Sequence, residues 1–257
     1  MPMPKTALTI AGSDPTGGAG FQADLRTFHS IGVYGLSIPA VLTAQSTEGV
    51  HCIHELPADF VSEQMDVLLR DIRPDAVKTG MLYAIDTLQV IADKVRQYSL
   101  DKLVIDPVSV SSTGVRLVEE RGMDIIRNDL FPLAMVITPN TYEAGLFTGR
   151  TIENADDMKG AAVALKELGP ETVIITGGHL EGKAIDMLFD GNEFVFIENE
   201  RLEGEFHGTG CVFSAALTAG LALGHEIKEA FIKAKDFTYH AMGAGISLGK
   251  GMKLLHF

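Results

Sequence analysis

The chain has 257 residues, 46% hydrophobic and 21% charged, with a formal net charge of −13. That balance gives a globular protein with a sizeable core. It argues against a nucleic-acid or membrane partner, so a phosphate must be held locally by backbone amides, a metal ion or a few placed cations. Two cysteines, Cys52 and Cys211, exclude a disulfide framework and a Cys-rich zinc site. The start of the chain lacks a signal-peptide core and no stretch reaches membrane-span length, so a cytoplasmic location is expected.

Residues 6–11 form an apolar run that ends in Gly12-Ser13-Asp14-Pro15-Thr16-Gly17-Gly18-Ala19-Gly20. This predicts a strand entering a glycine-rich loop, then a helix over 19–31 and a second strand within 34–44. Pro57 and Asp59 open an amphipathic helix with Phe60, Val61, Met65, Leu68 and Leu69 on its apolar face. Ala76 and Val77 mark a strand ending at Lys78-Thr79-Gly80-Met81, followed by a helix over 85–98. A strand over 102–105 ends at Asp106-Pro107, and a helix covers 119–130. A strand over 134–138 ends at Pro139-Asn140, with helices over 142–147 and 155–168 behind it. The strand at 172–176 stops at Gly177-Gly178, and only 184–189 and 193–197 read as a hairpin. Two helices and a Gly-rich tail complete the chain after His207-Gly208-Thr209-Gly210-Cys211.

Strands alternating with helices imply one α/β domain, a mainly parallel sheet covered on both faces. Loops rich in glycine and polar residues follow the carboxyl ends of successive strands, the edge where open α/β sheets bind ligands.

The first loop is neither a nucleotide P-loop nor an in-register dinucleotide fingerprint. Its glycines serve a flexible turn or a backbone that approaches a flat ligand, with Asp24 one helical turn beyond. Asp106 reads as a turn acid or as a ligand to Mg²⁺, which takes only one or two protein carboxylates. Asn140 and Glu143 read as a capping box or as a ligand pair, and one residue can serve both roles. His51 and His54 flank Cys52 on an extended segment and face opposite sides, so they form no metal site. Cys52 is expected in a strand or the core. Cys211 is a small buried hydrophobe or, at a helix N-terminus, a thiol of lowered pKa. The glycines before it serve a packing turn or an anion site.

Taken in order, these segments resemble the hydroxymethylpyrimidine/phosphomethylpyrimidine kinases of thiamine biosynthesis, in the ribokinase-like superfamily. The likeness runs from the stretch Ala7 through Asp24, with its glycine-rich loop, to Thr43-Ala44-Gln45-Ser46-Thr47 and Lys78-Thr79-Gly80-Met81-Leu82. It continues through Asp106-Pro107-Val108, Thr138-Pro139-Asn140, Gly177-Gly178-His179, the His207-to-Cys211 motif and the closing His256-Phe257.

The resemblance implies a three-layer αβα fold and phosphorylation of 4-amino-5-hydroxymethyl-2-methylpyrimidine and then of its monophosphate, with ATP and Mg²⁺. It implies that Gly12, Asp24, Gln45, Met81 and Val108 line the pyrimidine pocket and that Gly208, Thr209, Gly210 and Cys211 form the anion hole. It places Cys211 at the substrate hydroxyl as catalytic base or proton relay, Asp106, Asn140, Thr176 and Gly178 at the nucleotide phosphates, and Asp106 and Glu143 at the metal. A homodimer is implied as well. Many relatives carry Lys in the loop after Asp-Pro-Val and before Gly-Gly-His, where this chain has Ser112 and Thr176. That shifts phosphate neutralisation onto amides, hydroxyls, Mg²⁺ and Lys78. Residues 109–116 are the expected lid. A pyridoxal kinase of the same lineage and a non-catalytic pyrimidine-binding protein are the rival readings.

Overall fold

Strand β1 (Thr6–Gly12) is buried along six of its seven residues, as a central parallel strand covered on both faces must be. The computed structural model describes residues 3–110, 117–178, 180 and 182–257. Ser112, His179 and most of the expected lid lie outside the described residues.

The other strands of the main sheet are β2 (Tyr34–Ser46), β3 (Gly49–Glu55), β4 (Ala76–Thr79), β5 (Leu103–Ile105), β6 (Val136–Ile137), β7 (Thr172–Gly177), β8 (Ala184–Phe189) and β9 (Phe194–Asn199). They form one nine-stranded sheet in the order β3-β2-β1-β4-β5-β6-β7-β8-β9. The six strands from β2 to β7 are parallel, while β3 pairs antiparallel with β2, β8 with β7 and β9 with β8.

Side chains alternate between two cores with the strand period of two. Leu8 and Ile10 of β1, Leu103 and Ile105 of β5, and Val173 and Ile175 of β7 belong to one core. Ala7, Val104 and Ile174 belong to the other. Helices α2 (Ala58–Asp71), α3 (Ile85–Tyr98) and α6 (Ala155–Lys166) cover the first face through Met65, Ile91 and Met158. Helices α1 (Gly20–Ile31), α7 (Thr209–Ala222) and α8 (Ile227–Gly243) cover the second through Phe28, Phe213 and Phe231. Helix α7 is apolar on all sides because it lies between the sheet and the neighbouring helices, with every residue from Val212 to Ala222 buried.

Four local features differ from the sequence expectation. The segment carrying His51 and His54 is a full strand, β3, that makes a second hairpin with β2. Its polar residues hid it, because it is an edge strand with little burial on either face, and Cys52 is exposed rather than in the core. The helix predicted over 119–130 is α4 (Glu120–Ile125), followed by a π turn over Ile126–Leu130 and a 3₁₀ turn closed by Pro132. The Gly-rich tail supplies β11 (Lys253–Leu254), which pairs in parallel with β10 (Phe206–His207) just ahead of the Gly208 turn. Finally, α7 starts at Thr209, three residues before the apolar run. Among the described residues no helix is long and apolar enough to cross a membrane.

Candidate active site

The carboxyl ends of β1, β4, β5, β6 and β7 open into a cleft of about 1000 Å³. Its far wall is the first turn of α7. Gly208 caps that helix with φ of 81°, and a Cβ there would stand 1.9 Å from the Gly18 carbonyl oxygen, so only glycine fits. The first helical hydrogen bond runs from the Val212 N–H to the Gly208 carbonyl at 2.9 Å. The N–H groups of Thr209, Gly210 and Cys211 precede it and are left for a ligand, at the positive end of the helix dipole.

The expected site residues Gly12, Gln45, Met81, Val108, Asp106, Asn140, Glu143, Thr176, Gly178 and Gly208 to Cys211 all line this cleft. The sheet order spreads them from β1 and β2 at one end to β7 and β8 at the other. Gly12, Gln45 and Met81 therefore lie at one end, and Thr176 and Gly178 at the other. Asp106, at the end of β5, stands between the two ends.

Asp24 is the correction. Its side chain has no solvent exposure and does not reach the cleft. One carboxylate oxygen takes the Lys78 ammonium at 2.6 Å and the other the Thr9 hydroxyl at 2.6 Å. Asp24 thus holds Lys78, and Lys78 lines the cleft in its place. Burial pushes the Asp24 carboxyl up, and the ammonium against it pulls the other way. Burial opposes the charge on Lys78, but Asp24, Cys211 and Asp106 together outweigh it and raise the lysine pKa.

Cys211 also departs from expectation. Burial pushes its thiol up to about 12, the Lys78 charge pulls it down, and Asp106 and Asp24 push it further up. The helix terminus does not lower it, because the sulfur is desolvated and two carboxylates face it. At neutral pH the resting group is a thiol.

Asn140 and Glu143 form the capping box of α5 (Thr141–Thr148). Glu143 N–H donates to Asn140 Oδ1 at 2.9 Å, and Asn140 N–H returns to Glu143 Oε2 at 3.1 Å. Glu143 Oε1 accepts the Ser109 N–H at 3.0 Å, which ties the loop after β5 to α5. Burial and the neighbouring Asp106 raise Glu143 to about 8, against the pull of these donors. Asp106 is raised by burial too, while Lys78 and the Ser214 hydroxyl at 2.8 Å hold it down.

Three polar groups in the cleft wall were not singled out by the sequence. Asp14 takes the Ala19 N–H at 2.8 Å and the Thr16 N–H at 2.9 Å, closing the glycine-rich loop on itself, and lies 2.7 Å from His207 Nε2. Asp186 on β8 accepts the Gly177 N–H at 3.0 Å and pairs with Lys235 of α8 at 2.7 Å. Arg201 donates to the carbonyls of Gly178, Leu180 and Gly182. The first had a signal, an acid inside a glycine loop. The other two join residues far apart in sequence with no motif around them.

Asp14 supplies a stability prediction. Burial lifts its carboxyl, but the hydrogen bonds from His207 and Thr16 outweigh that and hold it below its ordinary value of 3.8. A depressed folded pKa contributes stability above the unfolded value, and that stability is lost as pH falls through the folded one. Asp14→Asn is therefore expected to cost about 1–3 kcal/mol at pH 7. Urea melts should show this gap constant above pH 5 and shrinking below pH 4. A gap that ignores pH would remove the carboxylate from the account.

A family model described as phosphomethylpyrimidine kinase matches residues 14–256. The chain belongs to the phosphomethylpyrimidine kinase family. The hydroxymethylpyrimidine/phosphomethylpyrimidine kinase of Bacillus subtilis is a family relative, 42% identical over 248 residues, 95% of this chain and 92% of that protein. Among solved structures, a phosphomethylpyrimidine kinase from Clostridium difficile is 40% identical, with a TM-score of 0.84 over 93% of this chain and 99% of the other. An ADP complex of Bacillus subtilis pyridoxal kinase is 38% identical, with a TM-score of 0.92 over 98% of this chain and 97% of the other. The ribokinase-like αβα architecture of the family is the one described above.

Proposed function

We propose that the chain transfers the terminal phosphoryl group of ATP to the hydroxymethyl oxygen of 4-amino-5-hydroxymethyl-2-methylpyrimidine, and then phosphorylates the monophosphate. The observation that carries this reading is the first turn of α7, whose Thr209, Gly210 and Cys211 line the cleft and whose N–H groups precede the first helical hydrogen bond, with no backbone partner among the described residues. Phosphoryl transfer asks for alignment and charge stabilisation more than for covalent chemistry, and such a turn provides both. Gly12, Gln45, Met81 and Val108 hold the pyrimidine at the β1–β2 end. Thr176, Gly178 and Asn140 hold the nucleotide toward β7.

Asp106 and Glu143 suit Mg²⁺, a hard cation that binds oxygen and keeps most of its shell for water and phosphate. Asp106 Oδ2 accepts from Ser214, while Oδ1 meets no protein donor among the described residues. Also among the described residues, no group of three or more His, Cys, Asp and Glu could hold a metal alone, as fits an ion carried in with the nucleotide. When bound, Mg²⁺ supplies charge neutralisation at the phosphates. The chain's own part is to hold the transferring group on the α7 amides and to shield it from water. Lys78 adds a fixed positive charge beside Cys211 and Asp106.

A second reading has a specific observation behind it. The backbone superposes on a pyridoxal kinase with a TM-score of 0.92, against 0.84 for the Clostridium difficile phosphomethylpyrimidine kinase. Steady-state ADP release with hydroxymethylpyrimidine, its phosphate and pyridoxal side by side separates the two. The expected order places both pyrimidines well above pyridoxal in kcat/KM. Preference for pyridoxal would replace the substrate, and pyrimidine binding without ADP release would remove the catalytic reading.

A further inference from the structure

Gln45 enters the cleft beside the register slip between β2 and β3, which falls between Ala44 and Gln45. Its carboxamide touches two partners. Nε2 stands 3.0 Å from His207 Nε2, and Oε1 stands 3.3 Å from Thr43 Oγ1.

The proton at His207 Nε2 is decided by Asp14. Asp14 Oδ2 lies 2.7 Å from that nitrogen and also receives the Ala19 N–H at 2.8 Å and the Thr16 hydroxyl at 2.9 Å. Thr16 Oγ1 accepts the Gly18 N–H at 3.1 Å, so its own proton points to Asp14. A carboxylate ringed by donors accepts only, so His207 must present an N–H at Nε2. Beside that N–H, which is directed at Asp14, lies the Gln45 amide nitrogen 3.0 Å from the same ring nitrogen, donor beside donor with no lone pair to receive either.

The other contact has the opposite fault. Thr43 Oγ1 gives its single proton to the Ser13 carbonyl at 2.8 Å. Its lone pairs are left facing Gln45 Oε1, acceptor against acceptor. A half-turn of the amide about its last bond cures both faults at once. The oxygen then shares the His207 N–H with Asp14 in a three-centred bond, and the amide N–H donates to Thr43. Amide oxygen and nitrogen have nearly the same size, so nothing else moves.

We infer that Asp14 and His207 are positioning residues that lock the Gln45 carboxamide with its oxygen toward His207 and its nitrogen toward Thr43. The order of acceptor and donor offered to a ring in the cleft is thereby fixed. Its consequence for selectivity rests on the pyrimidine reading above. A 4-aminopyrimidine edge carries a ring-nitrogen acceptor next to an N–H donor, and it docks in one sense, with the amine on the His207 side. A 4-oxo ring with a protonated ring nitrogen presents the reverse order and meets donor with donor.

Neutron diffraction from deuterium-exchanged, ligand-free crystals reads the lock directly. The two amide deuterons are expected on the atom facing Thr43, with one deuteron on His207 Nε2; amide deuterons on the atom facing His207 overturn the proposal. Kinetics reads the consequence, as kcat/KM for the 4-amino and 4-oxo forms of 5-hydroxymethyl-2-methylpyrimidine. The wild type is expected to prefer the amino form by about 10⁴-fold, the penalty of leaving buried polar groups mismatched. In His207→Leu the amide turns freely, and the preference should fall to about 10²-fold, mainly through KM. His207→Gln has two amide N–H groups, one for Asp14 and one for the Gln45 oxygen, and should restore it, while Thr43→Val should lower it like the leucine variant. Undiminished preference in folded His207→Leu overturns the lock. A wild type that phosphorylates neither pyrimidine overturns the substrate reading instead, and the deuteron positions still decide the lock.

Discussion

Replacing Lys78 with Met is expected to lower the unfolding free energy by about 3–5 kcal/mol at pH 7, the usual cost of stripping one partner from a buried ion pair. Both side chains of the Lys78–Asp24 pair are completely buried, with 2.6 Å between them. Without the ammonium, the Asp24 carboxylate keeps, among the described residues, the Thr9 hydroxyl alone. Asp24 then has to take up a proton to stay inside. Its folded pKa rises far above the unfolded value of about 3.9, so the folded state binds the extra proton and stability falls as pH rises between the two. The gap between wild type and Lys78→Met should therefore be small at pH 4 and widen toward pH 7. The double variant Asp24→Leu with Lys78→Met, which buries no charge, should recover most of the loss. Denaturant melts at the two pH values measure all three proteins. A Lys78→Met variant within 1 kcal/mol of wild type at pH 7 would sink the argument. Asp24→Asn alone separates the roles of the two residues. It should weaken turnover by letting Lys78 move, with a smaller effect on pyrimidine KM than a pocket residue would have.

The same pair shows where the sequence stops being legible. Strands read well where burial on both faces wrote an apolar run, as in β1, β5 and β7, and where a loop of glycine and polar residues followed. The site edge was visible for that reason, because the residues at strand ends all reach one side of a parallel sheet. What a side chain does there depends on burial, which sequence does not carry. Asp24 looks like a ligand to an amine from its place near a glycine loop, yet α1 turns it inward onto Lys78, a residue from β4. Strand β3 was hidden because an edge strand needs no apolar face. The Asp186–Lys235 pair joins β8 to α8, and no local pattern links the two. Asn140 and Glu143 were legible down to their hydrogen bonds, since a capping box is local.

Cys211 carries the second large effect. Cys211→Ala is expected to reduce kcat by about 10²–10³-fold, within the range that a positioned proton-transfer group supplies. KM for the pyrimidine should stay within about threefold, because the ring is held by other residues. The thiol stands in the first turn of α7 with its pKa pushed up to about 12 by burial. It is therefore not a resting thiolate, which changes the way it can act. In a loose phosphoryl-transfer transition state the attacking hydroxyl keeps its proton until late, when bonding to phosphorus has made it strongly acidic. A neutral thiol beside that oxygen takes up the proton only as it hands its own S–H proton to an oxygen of the transferring phosphoryl group, so without prior ionisation it acts as a relay. If instead a small thiolate fraction did the work, log kcat/KM would climb with unit slope through pH 10, since its plateau lies near pH 12. A relay gives a flat profile over the same range. Either profile, paired with the loss in Cys211→Ala, keeps the residue in the chemistry and says which proton state reacts. Unchanged turnover in the alanine variant removes it, leaving the α7 amides and Lys78 to carry the transition state alone.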